Sequence, residues 1–255
     1  MATGQAALVG TSSARSSEME SPFDAPRILI TGASRGLGAA LAAAFARRGA
    51  KVFAGARTPH SKIESIAAAH PEIAVVELDV ADDASVKRAL ATIAAKEDAL
   101  DIVVNNAAIR SPTVSNPIET IDFADAMRTL DVNALGPLRV VQAFLPMLRR
   151  GASPLLVNVS SEAGSIGPSG RDREFDYCMS KAALNMATRL LGNYLRDSVR
   201  VLALHPGWMR TDMGGRHAAL DPDAVAEAVA DRLLLERSHS SGFPFIDHEG
   251  RPLPW

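Results

Sequence analysis

One cysteine, Cys178, two tryptophans and two tyrosines are all that 255 residues hold of those types. A single thiol excludes an internal disulfide, and the six histidines are dispersed, with no Cys/His spacing that would suit zinc. No apolar run approaches the ~18 to 20 residues that a membrane helix needs, and the N-terminus lacks the continuous apolar core of a secretory signal. A surplus of charge is also missing. The 27 basic and 29 acidic residues leave a net charge of −2, and the basic ones are scattered, so there is no electrostatic footprint for a nucleic acid or an anionic membrane. What these absences leave is small-molecule chemistry, expected in a reducing, cytoplasmic setting.

With 47% of the residues hydrophobic, the chain is long enough to bury one sizeable core, and one domain over 26–255 is expected. Residues 1–25 are rich in Ser, Ala and Gly without a sustained period. They read as a flexible extension; Arg15 and the serines also keep a cleaved organelle-targeting segment open. From Arg27 onward short apolar runs alternate with longer amphipathic or Ala-rich stretches, the pattern of βαβ units on a parallel sheet. Strands are predicted at Arg27–Thr31, Lys51–Gly55, Ile73–Leu78, Leu100–Asn105, Pro154–Ser160, Val199–His205 and, more weakly, Gly242–Ile246. Helices are predicted at 36–48, 60–69, 82–96, 119–150, 176–196 and 222–237. In the first, Leu37, Leu41, Ala44, Phe45 and Arg48 keep three-to-four spacing, which predicts one apolar face packed on the sheet.

Directly after the first strand stands Thr31-Gly32-Ala33-Ser34-Arg35-Gly36-Leu37-Gly38, opening into a helix. Glycines there let the chain turn tightly and bring backbone N–H groups and the positive end of a helix up to a pyrophosphate. A site for NAD(H) usually places an acid about twenty residues further on, for the ribose 2′-hydroxyl, whereas a 2′-phosphate calls for arginine. No acid occurs between Ala39 and Ile63, Arg57 stands where the acid would be, and Arg35 lies inside the turn, so NADP(H) is favoured over NAD(H).

At this point the chain resembles the classical short-chain dehydrogenases/reductases, from Arg27 to Trp255. The resemblance is carried by the glycine turn, Leu78-Asp79-Val80, Asn105-Asn106-Ala107-Ala108, Asp131-Val132-Asn133-Ala134-Leu135-Gly136, Val157-Asn158-Val159-Ser160-Ser161, Tyr177-Cys178-Met179-Ser180-Lys181 and His205-Pro206-Gly207-Trp208-Met209-Arg210-Thr211. Ala108 departs from the family, which usually has Gly there. The ending Gly242 to Asp247 and Leu253-Pro254-Trp255, with His205 to Gly215, looks like the branch of sniffer-type carbonyl reductases and C-factor-like signalling proteins.

The resemblance implies a Rossmann-type doubly wound α/β sheet of about seven parallel strands, and hydride transfer between a nicotinamide and a carbonyl or alcohol. It implies Tyr177 as proton donor or acceptor, Lys181 beneath it and on the nicotinamide ribose, Ser161 on the substrate oxygen, and Asn133 holding a water that links Lys181 to solvent. Coenzyme contacts would come from Gly32, Ser34, Arg35, Gly36, Leu37, Gly38, Arg57, Asp79 and Val80 at the adenosine and phosphates. Asn106, Ala107, Ala108, Tyr177, Lys181, Pro206, Gly207, Met209 and Thr211 would serve the rest, with Asp79 on the adenine and Thr211 on the carboxamide. Family likeness also implies a homodimer or homotetramer packed through 119–150 and 176–196.

From the residues alone, Tyr177 and Lys181 are four apart and share a helix face, and nearby positive charge is expected to lower the phenol's pKa. Cys178 projects off that face and reads as a packing residue. The interval from Ser161 to Tyr177 is long and carries Arg171-Asp172-Arg173-Glu174, by default a solvated loop. A different reading is an NADP(H)-sensing signalling module with little turnover, against which the complete Asn133, Ser161, Tyr177, Lys181 set argues. An epimerase or dehydratase of the extended branch is disfavoured by the glycine spacing and the short C-terminal part.

Overall fold

The computed structural model describes residues 1, 25–58, 61–237 and 244–255. Seven strands, β1 (Arg27–Thr31), β2 (Lys51–Ala56), β3 (Ile73–Glu77), β4 (Ile102–Asn105), β5 (Leu155–Val159), β6 (Arg200–His205) and β7 (Phe245–Asp247), form one sheet in the order β3-β2-β1-β4-β5-β6-β7. Every neighbouring pair is parallel. The helices are α1 (Gly36–Ala46), α2 (Ser61–Ala69), α3 (Asp83–Ala94), α4 (Phe123–Leu130), α5 (Gly136–Leu148), α6 (Phe175–Leu195) and α7 (Pro222–Glu236). The fold is the expected doubly wound α/β sheet. The leader expectation falls on residues 2–24, outside the described residues, as does the start of the strand predicted from Gly242.

Strands covered on both faces can be apolar at every position. Ile28 and Ile30 of β1 accordingly join a core shared with α1 and α7, while Leu29 between them faces the opposite core with α3 and α5. Strand order reverses between β1 and β4, and ligands of open α/β sheets bind in the crevice at the carboxyl ends there. The loops after β1, β4, β5 and β6 therefore face one another.

Two helix expectations need correction. The first helix has no solvent face: every residue of α1 after Gly36 is buried, because α7 covers the side turned away from the sheet. Alanine made this possible, since its small side chain lets two helices approach closely. Arg48, just beyond α1, lies outside that core and binds Asp231 Oδ1 at 2.8 Å and Glu227 Oε2 at 2.6 Å.

The single helix predicted over 119–150 is instead a short 3₁₀ turn at Ile118–Thr120, then α4, a π turn at Asp131–Leu135, and α5. Asp122 starts α4 by accepting the Ala124 and Asp125 amides at 2.8 and 3.0 Å. The π turn precedes Pro137, which has no N–H to give to the Asn133 carbonyl four residues back, so the ordinary helical ladder fails there. Val80 fills the other side of the joint: a Cβ on Gly136 would stand 2.8 Å from Val80 Cγ2.

Candidate functional site

The glycine turn is pinned by the loop after β4. The Thr31 hydroxyl accepts the Asn106 and Ala107 amides, each at 3.0 Å, and Asn106 Nδ2 donates to the Thr31 and Gly32 carbonyls at 2.9 and 3.1 Å. Contact is so close that a Cβ on Gly38 would stand 2.5 Å from Asn106 Nδ2 and overlap the Gly32 carbonyl, and one on Gly32 would stand 2.7 Å from Ala107 Cα. Gly32 and Gly36 both take the left-handed region, at φ 66° and 55°. Ala108 does not, so its methyl costs no backbone strain where the family usually has Gly. The first-turn amides of α1, at Gly36, Leu37 and Gly38, have no acceptor within the helix and offer an anion cradle. Leu37 contributes only its amide, for its side chain is in the core.

Arg57 is exposed just past β2 and has no hydrogen-bond or ion-pair partner among the described residues. Arg35 is exposed too, but binds Asp212 at 3.0 Å. Asp79 lies past β3 and spends one carboxylate oxygen on the Ala81 amide at 3.0 Å. The loop after β6 closes the far side. Gly207, at φ 85°, turns it beneath Leu220, and Met209 bridges to Leu220. Thr211 then reaches the glycine turn, its Cγ2 3.5 Å from where a Cβ on Gly36 would be, while Pro206 and Ser34 flank the two turns.

Of the four residues expected at the chemical centre, Tyr177 and Lys181 stand together on α6, Ser161 lies just past β5, and Asn133 sits in the π turn. Lys181 is 3% exposed, donates to the Val159 carbonyl at 2.8 Å, and holds its ammonium 5.8 Å from the Tyr177 ring centroid. Gly164 allows the approach, because a Cβ there would press on the Lys181 backbone at 2.6 Å. Ser161, two residues past β5, accepts the Ala163 amide at 3.1 Å. Ser160 points the other way and gives its hydroxyl to Asn185 Oδ1 at 2.6 Å.

Asn133, 1% exposed in the π turn, uses its whole amide elsewhere: Oδ1 accepts the Ile109 amide at 2.8 Å, and Nδ2 donates to the Ile109 carbonyl at 2.9 Å and Ser180 Oγ at 3.0 Å. Its side chain therefore has no bond to Lys181, and the expected role of holding a water for Lys181 is not one that these partners supply.

The lowered phenol pKa is expected of Lys181 and an oxidised nicotinamide acting together, and the chain without coenzyme has only the first. In the coenzyme-free chain Tyr177 has its pKa raised, because burial outweighs the Ser161 hydrogen bond and the positive charge of Arg110, which both lower it. Burial also pulls the Lys181 ammonium down to about 8. Burial pushes the half-buried Cys178 thiol up, which leaves it a poor nucleophile.

The motif reading passes over Arg110, two residues past Ala108. Its guanidinium carbon sits 5.6 Å from the Tyr177 ring centroid, one terminal nitrogen binds Glu174, and the other donates to the Met213 carbonyl at 3.3 Å. The charged string before α6 is thus partly drawn into the site: Arg171 bridges Glu174 and Glu162, while Asp172 and Arg173 stay exposed. A cation at the carboxyl end of a central strand is the signal that would have found Arg110.

Comparison with known proteins gives this geometry its relatives. The family model for short chain dehydrogenase matches residues 26–220. The C-signal protein of Myxococcus xanthus is 40% identical over 158 residues, 61% of this chain and 93% of its own length. The carbonyl reductase Sniffer of D. melanogaster superimposes with a TM-score of 0.82 at 29% identity, covering 91% of this chain and 100% of its own. The NADPH-bound carbonyl reductase from chicken fatty liver does so with a TM-score of 0.80 at 31% identity, covering 91% and 100%. The family model spans most of the chain and the superpositions cover nine-tenths of it, so this chain is a short-chain dehydrogenase/reductase, an oxidoreductase of that family.

Proposed function

We propose that the chain is an NADP(H)-dependent carbonyl reductase, with the reverse alcohol oxidation open to it. The observation that carries this reading is the buried Lys181 ammonium held 5.8 Å from the Tyr177 ring centroid on one side of the crevice whose other side is the glycine turn, with Arg57 exposed past β2 and without a partner among the described residues. The NADPH-bound avian carbonyl reductase of similar fold supports the same choice. Gly32, Ser34, Gly36, Leu37 and Gly38 would hold the pyrophosphate, Arg57 and Arg35 the 2′-phosphate, Asp79 and Val80 the adenine side. Asn106, Ala107, Ala108, Pro206, Gly207, Met209 and Thr211 would line the nicotinamide half. When bound, the coenzyme supplies the hydride that reduces the carbonyl carbon.

The chain supplies the rest. Ser161 donates a hydrogen bond to the carbonyl oxygen and Tyr177 transfers its phenolic proton to that oxygen as negative charge grows on it. Lys181, fixed by the Val159 carbonyl, steadies the phenolate that remains. Asn133 is a positioning residue: it ties the loop after β4 to α6 through Ile109 and Ser180. Two copies or four would pack through α4, α5 and α6, where Met179, Met186, Leu190 and Tyr194 form an exposed apolar stripe on α6; the mass of the particle in solution reads the number. Among the described residues no helix is long and apolar enough to cross a membrane, and a cytoplasmic enzyme remains our reading.

NADPH consumption against a panel of aldehydes, ketones and quinones tests the reaction; no turnover of any member would refute it. Arg57→Asp tests the coenzyme. Replacing a cation by a carboxylate beside a 2′-phosphate is expected to shift the NADPH/NADH ratio of kcat/KM towards NADH by about 30-fold or more, in line with the ~2 kcal/mol or more of a charge-assisted contact. An unchanged ratio would remove Arg57 from the site.

A further inference from the structure

Arg110 neighbours the Tyr177 phenol, and its bonds in the free chain are incomplete. Its Nε is buried and has no hydrogen-bond partner among the described residues, although a guanidinium offers a fork made of Nε and a terminal nitrogen. Only the terminal nitrogens are used, one on the Glu174 carboxylate and one on the Met213 carbonyl. Glu174 itself is held at φ 61°, a left-handed conformation that costs a non-glycine residue energy. It has a second cation, Arg171, which also binds Glu162 at 2.6 Å.

We infer that Arg110 reads an anionic group on the substrate, so that the site takes an oxo acid whose carboxylate lies a few bonds from the reacting carbonyl, with Glu174 keeping that place in the free chain. This rests on the proposed reductase reading and narrows its substrate class. The guanidinium carbon stands 5.6 Å from the Tyr177 ring centroid, so a short molecule whose carbonyl meets the phenol under the proposed mechanism has its carboxylate within reach of Arg110. A carboxylate engaging Nε together with a terminal nitrogen gains the bond that Glu174 leaves unmade. Exchange of one carboxylate for another conserves charge at Arg110, and the displaced Glu174 keeps Arg171, so no ion is stranded.

Calorimetric titration of acetoacetate and of methyl acetoacetate into the NADP⁺-loaded protein tests this without requiring turnover. Wild type is expected to bind the acid more tightly than the ester. Arg110→Met should reduce that preference by about 10- to 100-fold, the worth of a charge-assisted contact, whereas Glu174→Gln should raise it several-fold. Because the two variants act in opposite directions, a folding defect in one cannot imitate both. Equal binding of acid and ester by wild type, or a preference unmoved by both variants, would overturn the assignment. A preference that behaves as stated, with neither these compounds nor any member of the carbonyl panel reduced when NADPH replaces NADP⁺, would uphold Arg110 as the anion reader and refute the reductase reading instead.

Discussion

Tyr177→Phe is expected to lower kcat/KM for carbonyl reduction by about 10³-fold while NADPH affinity stays within a factor of a few. The variant removes one oxygen, leaves the ring against Arg110 and Lys181, and takes away the proton donor, a role typically worth ~10² to 10⁴. Fluorescence titration of NADPH and steady-state kinetics on the same preparation separate the two quantities. Full reductase activity in the variant would remove Tyr177 from the mechanism. The pH profile of wild type adds a second check. Burial raises the phenol's pKa in the free enzyme, so the acid form needed for reduction persists through neutral pH and kcat/KM for reduction should be flat there. Alcohol oxidation needs the phenolate and should climb with pH over the same range.

Lys181→Met is expected to lose activity and to change how stability depends on alkaline pH. Burial pulls Lys181 from 10.5 to about 8 in the folded chain. Below about 8 both folded and unfolded chains carry the charge, and the cost of burying it is fully present. Between about 8 and 10.5 the folded lysine is neutral while the unfolded one is still protonated, so the unfolded state holds more protons and stability rises with pH. The shift corresponds to roughly 3 kcal/mol at ~1.4 kcal/mol per pH unit. Urea unfolding of the coenzyme-free protein across this window should show that rise in wild type and not in the variant. Parallel curves would mean that Lys181 stays charged in the fold.

Much of this was legible because parallel strands advertise themselves. Val103 and Val104, or Leu155 to Val157, are apolar at consecutive positions since both sheet faces are covered. The glycine turn and the Tyr177–Lys181 spacing are local patterns with local reasons. What escaped were consequences of distance and of silence in the sequence. Arg110 and Glu174 are 64 residues apart, and nothing near either announces the other. Alanine fits a helix face turned to either side, so α1 could not declare that α7 would cover it. Pro137 is acceptable in a first helical turn, and only the broken ladder behind it shows that 119–150 is two helices. The direction of the Tyr177 shift depends on burial, which belongs to the assembled fold.

The π turn at Asp131–Leu135 works as a phase shifter. One surplus residue amounts to about 100° of rotation in a helix of 3.6 residues per turn. The upstream rod can therefore aim its contacts at α6, where Thr129 donates to Asp176 at 3.2 Å, while the downstream rod aims Val140, Val141 and Phe144 into the sheet. A straight rod would have had to give up one of these two audiences, and with it either the clasp on the helix that bears the phenol or the lining of the sheet beneath it.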